Sequence, residues 1–174
     1  MYDAGGLVGP AFGPCQYLVE AGRLKLRIYA FATVNSLQHP VMGVLGAGIR
    51  SGFGDERLKI GAFTVMTDAS SSAPTAATRE PYTSHDQDCG ILYWDQDGLD
   101  DLIGRAHRQG FQCTAHAVGD RATEQALNAT ARTQHEYPHQ GLRHRIEHCA
   151  ICPPDLQLRV RAQHIVPAMQ PAFF

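Results

Sequence analysis

Two histidines in this sequence stand where strand-like segments end and turns begin. His116 lies in "CTAHAVGD" (residues 113–120), and His148 lies in "HRIEHC" (residues 144–149). In parallel sheets, ligands bind at the carboxyl ends of the strands. Neighbouring strands lie roughly 5 Å apart, so two such imidazoles can reach one metal ion, and nitrogen ligands at roughly 2.0–2.1 Å suit zinc and similar divalent metals. The spacing alone leaves two interpretations open: a metal site, or the commoner case of two hydrogen-bonded structural histidines.

Side-chain alternation along the two segments predicts which residues share a face with these histidines. His116 falls on the inward face of the first segment. In the second segment His144 and His148 fall on that face together, and Glu147 points to the opposite face, where we expect an ion pair with Arg145 or with a helix. Because His144 lies deeper than His148, we expect it to support the site and its substrate by hydrogen bonding.

Three further features have both a functional and a structural interpretation. Tyr82 lies in a long connection (69–94) and is a candidate for substrate binding or for ordinary packing. Asp120 follows His116 in "HAVGDRA" and suits a helix cap better than a catalytic group. The segment "CAIC" (149–152) is compatible with a redox pair or half a zinc site, and buried or loop thiols are the expected alternative.

The elements that must carry these residues alternate between strands and helices. This alternation predicts an α/β protein with a parallel sheet and right-handed crossovers, either an open doubly wound sheet or a (β/α)8 barrel. No Gly-x-Gly-x-x-Gly follows a strand, which disfavours a dinucleotide fold. The predicted strands are 24–34, 63–68, 111–118, 144–149 and 164–170, and the predicted helices are 10–22, 95–110, 119–134 and 155–160.

Composition narrows the class of protein. The chain has 174 residues, 44% hydrophobic and 18% charged, with a formal net charge of −2. These values suit one globular domain and give no reason to expect nucleic acid as a partner. No apolar run is long enough to cross a bilayer, and Met1 is not followed by a signal-peptide pattern. Five cysteines, an odd number, indicate reduced thiols and a cytoplasmic location.

Several spaced motifs resemble the amidohydrolase superfamily, in the branch called amidohydrolase family 3 (N-substituted formamide deformylase-like proteins). "HAVGDRA" and "LRHRIEH" resemble two strand-end motifs of that family. "MYDAGG" resembles the end of its second strand, "RLKIGAFTVMTDASSSAPTAATREPY" its fourth-strand region, and "VPAMQP" its seventh strand. The resemblance is collinear from Met1 to Phe174, and several motifs in order are more specific than any one of them.

This resemblance implies a partial TIM-type (β/α)8 barrel, roughly strands 2 to 7, in one incomplete domain over residues 1–174. It also implies metal-dependent hydrolysis of carbon–nitrogen bonds in a small, amide-like, non-peptide substrate. His116 and His148 would be the metal ligands, from the fifth and sixth strands of the family's barrel. The expected cofactor is a divalent metal ion, zinc in the first place.

The sequence also departs from the family's pattern. It has no His-x-His, which the family carries on strand one, and it stops before the strand that bears the family's proton-accepting aspartate. Thr64 stands where many members have a metal-bridging lysine, and Lys59 falls on the opposite face. We therefore expect a single-metal or degenerate site in a chain that is inactive alone and that associates, for example as a homo-oligomer, through exposed sheet edges. The alternative is a non-catalytic truncated or pseudo-enzyme segment.

Overall fold

The computed structural model describes residues 2–3, 12–84, 86–139 and 141–171. Residues 10–11 of the first predicted helix and His85 of the long connection fall outside this description. The described strands are β1 (Tyr2–Asp3), β2 (Ile28–Val34), β3 (Leu58–Met66), β4 (Cys113–Ala117), β5 (Arg145–His148) and β6 (Val166–Ala168). The described helices are α1 (Phe12–Glu20), α2 (Met42–Gly46), α3 (Gln96–Arg108), α4 (Asp120–Glu136) and α5 (Pro154–Ala162).

The six strands form one sheet in the order β1-β2-β3-β4-β5-β6, and every neighbouring pair is parallel. Parallel neighbours need a crossover connection, and a helix lies in each of the five connections. The predicted α/β class with a parallel sheet is therefore confirmed. Because β4 and β5 are neighbours, their carboxyl ends meet at one edge of the sheet. None of the described helices is long and apolar enough to cross a membrane.

The predicted elements are present, with shifted ends. β3 begins at Leu58 rather than at residue 63, because the mixed segment before Phe63 joins the sheet through an irregularity in its pairing with β2. The segment 155–160 is helical, as predicted, with a proline in the first turn, where its missing N–H is not needed. The short helix α2 was not predicted.

Helices cover one face of the sheet with aliphatic and small side chains. Asp95 caps α3 by accepting a 2.8 Å hydrogen bond from the Gly98 N–H. The amphipathic spacing of α3 then buries its apolar stripe, whereas α4 presents alanines that allow a close approach to the strands. The buried residues of these helices and of the strands beneath them include Leu99, Leu102, Ile103, Ala106, Ala122, Ala126, Ala115, Ala117 and Ile146.

The pairing register assigns the residues of β4 and β5 to two faces. Ile146 packs in the cluster beneath the helices. Thr114 pairs with Arg145 and His116 pairs with Glu147, so these four side chains share the opposite, inner face. The prediction that Glu147 points away from the face of His116 is therefore wrong.

Candidate metal centre

His116 and His148 lie side by side at the carboxyl edge of the sheet. Nδ1 of His116 is 3.0 Å from Nε2 of His148. The ring centroids are 4.5 Å apart, and the ring planes are inclined by 75°. The predicted convergence of the two rings at one strand edge is confirmed, with a separation short enough for both nitrogens to contact one ion.

The ring of His148 reaches the inner side through a local change of backbone direction. In the register, His148 pairs with Ala117, a residue of the helix-covered face. His148 and Cys149 have φ angles of 72° and 46°, in the left-handed region, which costs roughly 1–2 kcal/mol for each residue other than glycine. This turn ends β5 and carries the ring to His116. The convergence was thus predicted correctly from a wrong assignment of faces.

Each ring is held at its outer nitrogen by a hydrogen-bond acceptor. His116 Nε2 lies 3.1 Å from the carbonyl oxygen of Ala69, and His148 Nδ1 lies 2.8 Å from Oε1 of Gln170. A carbonyl oxygen can only accept, so these contacts place the ring protons on the outer nitrogens. The two inner nitrogens then turn their lone pairs toward each other at 3.0 Å, an arrangement that favours a cation between them.

A second histidine pair in this chain has a different pattern of hydrogen bonds. His107 Nδ1 lies 2.9 Å from His144 Nε2, nearly the same contact as in the first pair. Here, however, the backbone N–H of Cys113 donates to His144 Nδ1 at 3.0 Å. The outer nitrogen of His107 lies 2.6 Å from the carbonyl oxygen of Tyr137. His144 therefore donates its one proton to His107, and the pair is satisfied without a cation.

His144 accordingly lies on the helix-covered side of the sheet and not in the site. It is 1% exposed, and both of its ring nitrogens are engaged by Cys113 and His107. The prediction that it shares a face with His148 is wrong, because the turn at His148 breaks the alternation, and this placement gives no support to a contact with substrate. Burial, and then the neighbouring His107 and His139, lower the pKa of His144 to about 4.

The inner nitrogens of His116 and His148 suit a single divalent ion. Two nitrogen ligands of a tetrahedral zinc ion lie roughly 3.3 Å apart, close to the 3.0 Å between these atoms. Burial lowers the pKa of His116, which favours the neutral imidazole that metals bind. Over the residues that the structure describes, no group of three or more His, Cys, Asp or Glu side chains could share an ion. Among the described residues, the pair would therefore supply only part of a ligand set.

Asp68, just beyond β3, ties together the segments around this pair. Its carboxylate accepts hydrogen bonds from the backbone N–H groups of Ala77, Val118 and Gly119 at 3.0, 3.0 and 2.8 Å. The side chain is fully buried, and Oδ1 lies 3.8 Å from His116 Nε2. Burial raises the pKa of Asp68, against the lowering by the three N–H groups and by His116. Asp68 thereby fixes the long connection to the turn that follows β4.

A second buried carboxylate lies on the inner face beside His116. Glu147 is 3% exposed and accepts from Nε and Nη2 of Arg145 at 2.7 and 3.2 Å. The hydroxyl of Thr114 donates to the same carboxylate at 3.1 Å. The expected ion pair with Arg145 is confirmed, although it lies on the inner face of the sheet and not on the helix-covered face. Both carboxylate oxygens of Glu147 accept hydrogen bonds, which fix this polar side chain on the inner face next to His116.

Arg79 anchors the long connection 69–94 to two helices. Its guanidinium bonds Glu124 of α4 at 3.0 Å and Asp155 of α5 at 2.9 Å. Its backbone N–H donates to Asp120 at 2.8 Å. Asp120 is the first residue of α4, after the N-cap residue Gly119, and it accepts from the N–H of Arg121 at 2.9 Å. The predicted contact of Asp120 with the N–H groups at the helix start is present, but the prediction that Asp120 is the cap is wrong.

The hydroxyl of Tyr82 is used within the long connection. It donates to the carbonyl oxygen of Ala76 at 2.6 Å, and burial raises the pKa of this half-buried phenol. Substrate binding by Tyr82 stays a prediction. On β3, Lys59 is exposed, and Thr64 is fully buried on the inner face in register with Thr114. The prediction that Lys59 lies on the opposite face is wrong, because β3 has an extra residue between Ile60 and Phe63 in its pairing with β2. Lys59 and Thr64 therefore share a face, at the two ends of the strand.

The Cys-x-x-Cys pair has the character of structural thiols. Cys149 is buried, and this burial raises its pKa to about 12. Burial also raises the pKa of Cys152. Because the thiolate is the reactive form, these shifts favour the structural interpretation over the redox one.

Asp68 and Gln170 were missed as parts of the site. A sequence signal for both exists, because each lies two residues beyond a strand, after Met66 of β3 and after Ala168 of β6. The two histidines were predicted because polar residues at the carboxyl ends of parallel strands often bind ligands. The same reasoning applies to Asp68 and Gln170.

The sequence matches known proteins along most of its length. A profile of the amidohydrolase family matches residues 5–174. "Putative amidohydrolase YtcJ" of Bacillus subtilis (strain 168) is 29% identical over 116 residues, which are 67% of this chain and 21% of that protein. "Protein LONG AFTER FAR-RED 3" of Arabidopsis thaliana is 28% identical over 116 residues, which are 67% of this chain and 20% of that protein. The match thus spans about a fifth of the length of these relatives.

Two solved structures share the fold. One is an uncharacterized metal-dependent hydrolase from Pyrococcus furiosus, with a TM-score of 0.79 and 28% identity over 94% of this chain and 32% of that one. The other is an uncharacterized metal-dependent hydrolase from Pyrococcus horikoshii OT3, with a TM-score of 0.78 and 27% identity over 94% of this chain and 31% of that one.

Proposed function

Because this chain belongs to the amidohydrolase family, we propose that it carries part of the metal centre of a hydrolase that cleaves carbon–nitrogen bonds in small, non-peptide amides. The observation that supports this most directly is the 3.0 Å distance between Nδ1 of His116 and Nε2 of His148. Acceptors at both outer nitrogens favour tautomers in which the two inner nitrogens can both bind a cation. The similar Pyrococcus hydrolases are metal-dependent, which supports the same conclusion.

The described residues would have separate roles in this proposed metal centre. His116 Nδ1 and His148 Nε2 would hold the ion, with zinc the first candidate. When bound, such an ion lowers the pKa of a coordinated water and polarises a carbonyl group. Asp68 and the Ala69 carbonyl keep His116 in place, while the Arg145–Glu147 pair supports the inner face beneath it. Tyr82 remains the proposed substrate contact from the long connection.

The architecture we propose is a partial (β/α)8 barrel, roughly its strands 2 to 7, in a protein like N-substituted formamide deformylase. Six parallel strands in chain order, with a helix in each connection, support it. A cytoplasmic location and self-association through the sheet edges are further proposals. They are supported by the cysteine usage and by β1 and β6 standing at the two edges among the described strands. The partner we propose is the small amide-like substrate, without nucleic acid.

Metal binding by the 174-residue chain tests this proposal. We expect Co²⁺ to give ligand-field absorption and Zn²⁺ to bind in calorimetry, because two imidazoles converge on one point. His116→Ala or His148→Ala should each lower the affinity by about 100-fold, the upper end of what even outer partners contribute. His135→Ala, which removes an exposed histidine of α4, is the matched control. Equal affinities in all four chains would refute the metal centre.

Hydrolysis by this chain alone is expected to be undetectable. Catalytic zinc usually keeps three protein ligands and a water, and the described residues provide two that share a point. An assay of N-formyl and N-acyl amines with Zn²⁺, Mn²⁺ or Co²⁺ measures this. Metal-dependent turnover that disappears in His148→Ala would show a complete working site. A chain that neither turns over nor binds metal would favour the non-catalytic alternative.

A further inference from the structure

We propose that Gln170 is a positioning residue for this metal centre: its side-chain oxygen keeps a proton on Nδ1 of His148 and so turns Nε2 toward the ion. The inference rests on the proposed function, because it concerns the same centre. Gln170 Oε1 lies 2.8 Å from His148 Nδ1. Since Gln170 lies two residues beyond β6, it adds the end of this strand to a site that the ends of β3, β4 and β5 already form.

A second contact determines the orientation of the Gln170 amide. Its Nε2 donates to the carbonyl oxygen of Ala168 at 3.1 Å. This bond leaves Oε1, which can only accept, as the atom that faces the imidazole. The flipped amide would set an NH₂ group against His148 and lose the bond to Ala168. The backbone at the end of β6 therefore selects the acceptor, and the acceptor selects the tautomer of His148.

His116 is held by a comparable acceptor from the main chain. The carbonyl oxygen of Ala69 contacts its Nε2 at 3.1 Å, and the adjacent Asp68 is held by three backbone N–H groups. One histidine thus relies on a backbone carbonyl and the other on a side chain. Gln170 is the member of this outer set that a substitution can remove directly. Loss of such outer partners typically costs 10–100-fold in metal affinity.

The deeper histidine pair shows what the centre would become without this acceptor. There His144 carries its proton on Nε2 and donates it to His107 Nδ1 at 2.9 Å. If His148 carried its proton on Nε2, it would donate to His116 Nδ1 across the 3.0 Å contact in the same way. Both rings would then be satisfied by a hydrogen bond, and that bond would compete with the ion. Gln170 holds His148 in the other tautomer.

The test compares the parent chain with Gln170→Leu and Gln170→Glu, each labelled with ¹⁵N in its histidine rings. Leucine approximates the volume of glutamine without an acceptor, whereas glutamate keeps acceptor oxygens. Two-bond ¹H–¹⁵N correlation spectra of the metal-free chains at about pH 8, above the ordinary histidine pKa, show which nitrogen of His148 carries the proton. Calorimetric titration with Zn²⁺ gives the affinity, and thermal unfolding checks that each variant folds.

We expect the proton on Nδ1 of His148 in the parent and in Gln170→Glu, and on Nε2 in Gln170→Leu. The Zn²⁺ affinity of the leucine variant should be about 10–100-fold lower, with Gln170→Glu close to the parent. A parent with the proton on Nε2, or a folded leucine variant with an unchanged tautomer or an unchanged affinity, would overturn the role of Gln170. If the tautomers shift as expected and no chain binds Zn²⁺, the positioning of His148 stands and the proposed metal function fails.

Discussion

Replacing Asp68 by alanine is expected to lower the free energy of unfolding by about 3–5 kcal/mol, the range for removal of one partner from a buried charged interaction. The carboxylate is fully buried and accepts from the N–H groups of Ala77, Val118 and Gly119. Alanine would leave these three donors without their acceptor, and each unsatisfied buried donor costs about 1–3 kcal/mol. Urea unfolding at neutral pH, followed by far-ultraviolet circular dichroism, measures the loss.

Two further variants separate this effect from a change of charge. Asp68→Asn keeps one acceptor oxygen and should fall between the parent and Asp68→Ala. Asp86→Ala removes an exposed carboxylate from the same connection and should change the stability by less than about 0.5 kcal/mol. If Asp68→Ala unfolded at the urea concentration of the parent, the three N–H contacts would not hold the connection to the β4–α4 turn.

Acidification from about pH 6.5 to about pH 4 is expected to remove about 3 kcal/mol of stability through His144. The folded-state pKa of His144 is about 4, below the ordinary value of about 6.5, so the unfolded chain binds this proton more readily. The stabilisation is complete above about pH 6.5 and is lost as the pH falls toward 4. Its causes are burial, then His107 of α3 and His139 beyond α4, while the Cys113 N–H occupies Nδ1.

The measurement is the difference in unfolding free energy between about pH 7 and about pH 4.5, on either side of the ordinary histidine pKa. His144→Gln cannot titrate and should show a smaller difference than the parent, whereas His135→Gln, at an exposed site of α4, should not. Comparison between chains is needed because Asp68, with its raised pKa, stabilises the fold as the pH falls. Equal differences in the parent and in His144→Gln would contradict the assignment.

The sheet and the meeting of His116 with His148 could be predicted because both depend on local patterns. Apolar segments with helical spacing between them specify the parallel order, and parallel order brings strand ends together. The faces of β5 could not be predicted, because alternation assumes an extended backbone. The prediction assigned the residues of β5 to faces by counting back from an inward-facing His148. The left-handed φ angles of His148 and Cys149 turn this ring inward from a position on the helix-covered face. Glu147 therefore lies on the inner face and His144 on the helix-covered side, the reverse of the prediction.

The outer hydrogen bonds of the centre depend on distant segments of the chain. Ala69 is 47 residues from His116, and Gln170 is 22 residues from His148. The carbonyl of Ala69 reaches an imidazole only because Asp68 holds the connection against the turn after β4. No local pattern specifies which carbonyl that is. The positions of the two proposed ligands could therefore be predicted from the sequence, whereas the tautomers that would let them bind a metal ion could not.

The ion pairs of Arg79 with Glu124 and Asp155 form a clamp on the long connection 69–94. This clamp has a consequence for how the protein changes in evolution. Arg79 joins Glu124 and Asp155, although these residues lie 45 and 76 positions away along the chain. A lineage that loses the arginine removes the partner that both acids share, although Glu124 keeps a 3.7 Å contact with Arg159. Selection should then favour changes at the two acids as well, first at Asp155. The connection held by this clamp begins at Ala69, whose carbonyl orients His116. Linked substitutions at the partly exposed positions 79, 124 and 155 are thus expected to accompany changes at the half-buried histidine pair.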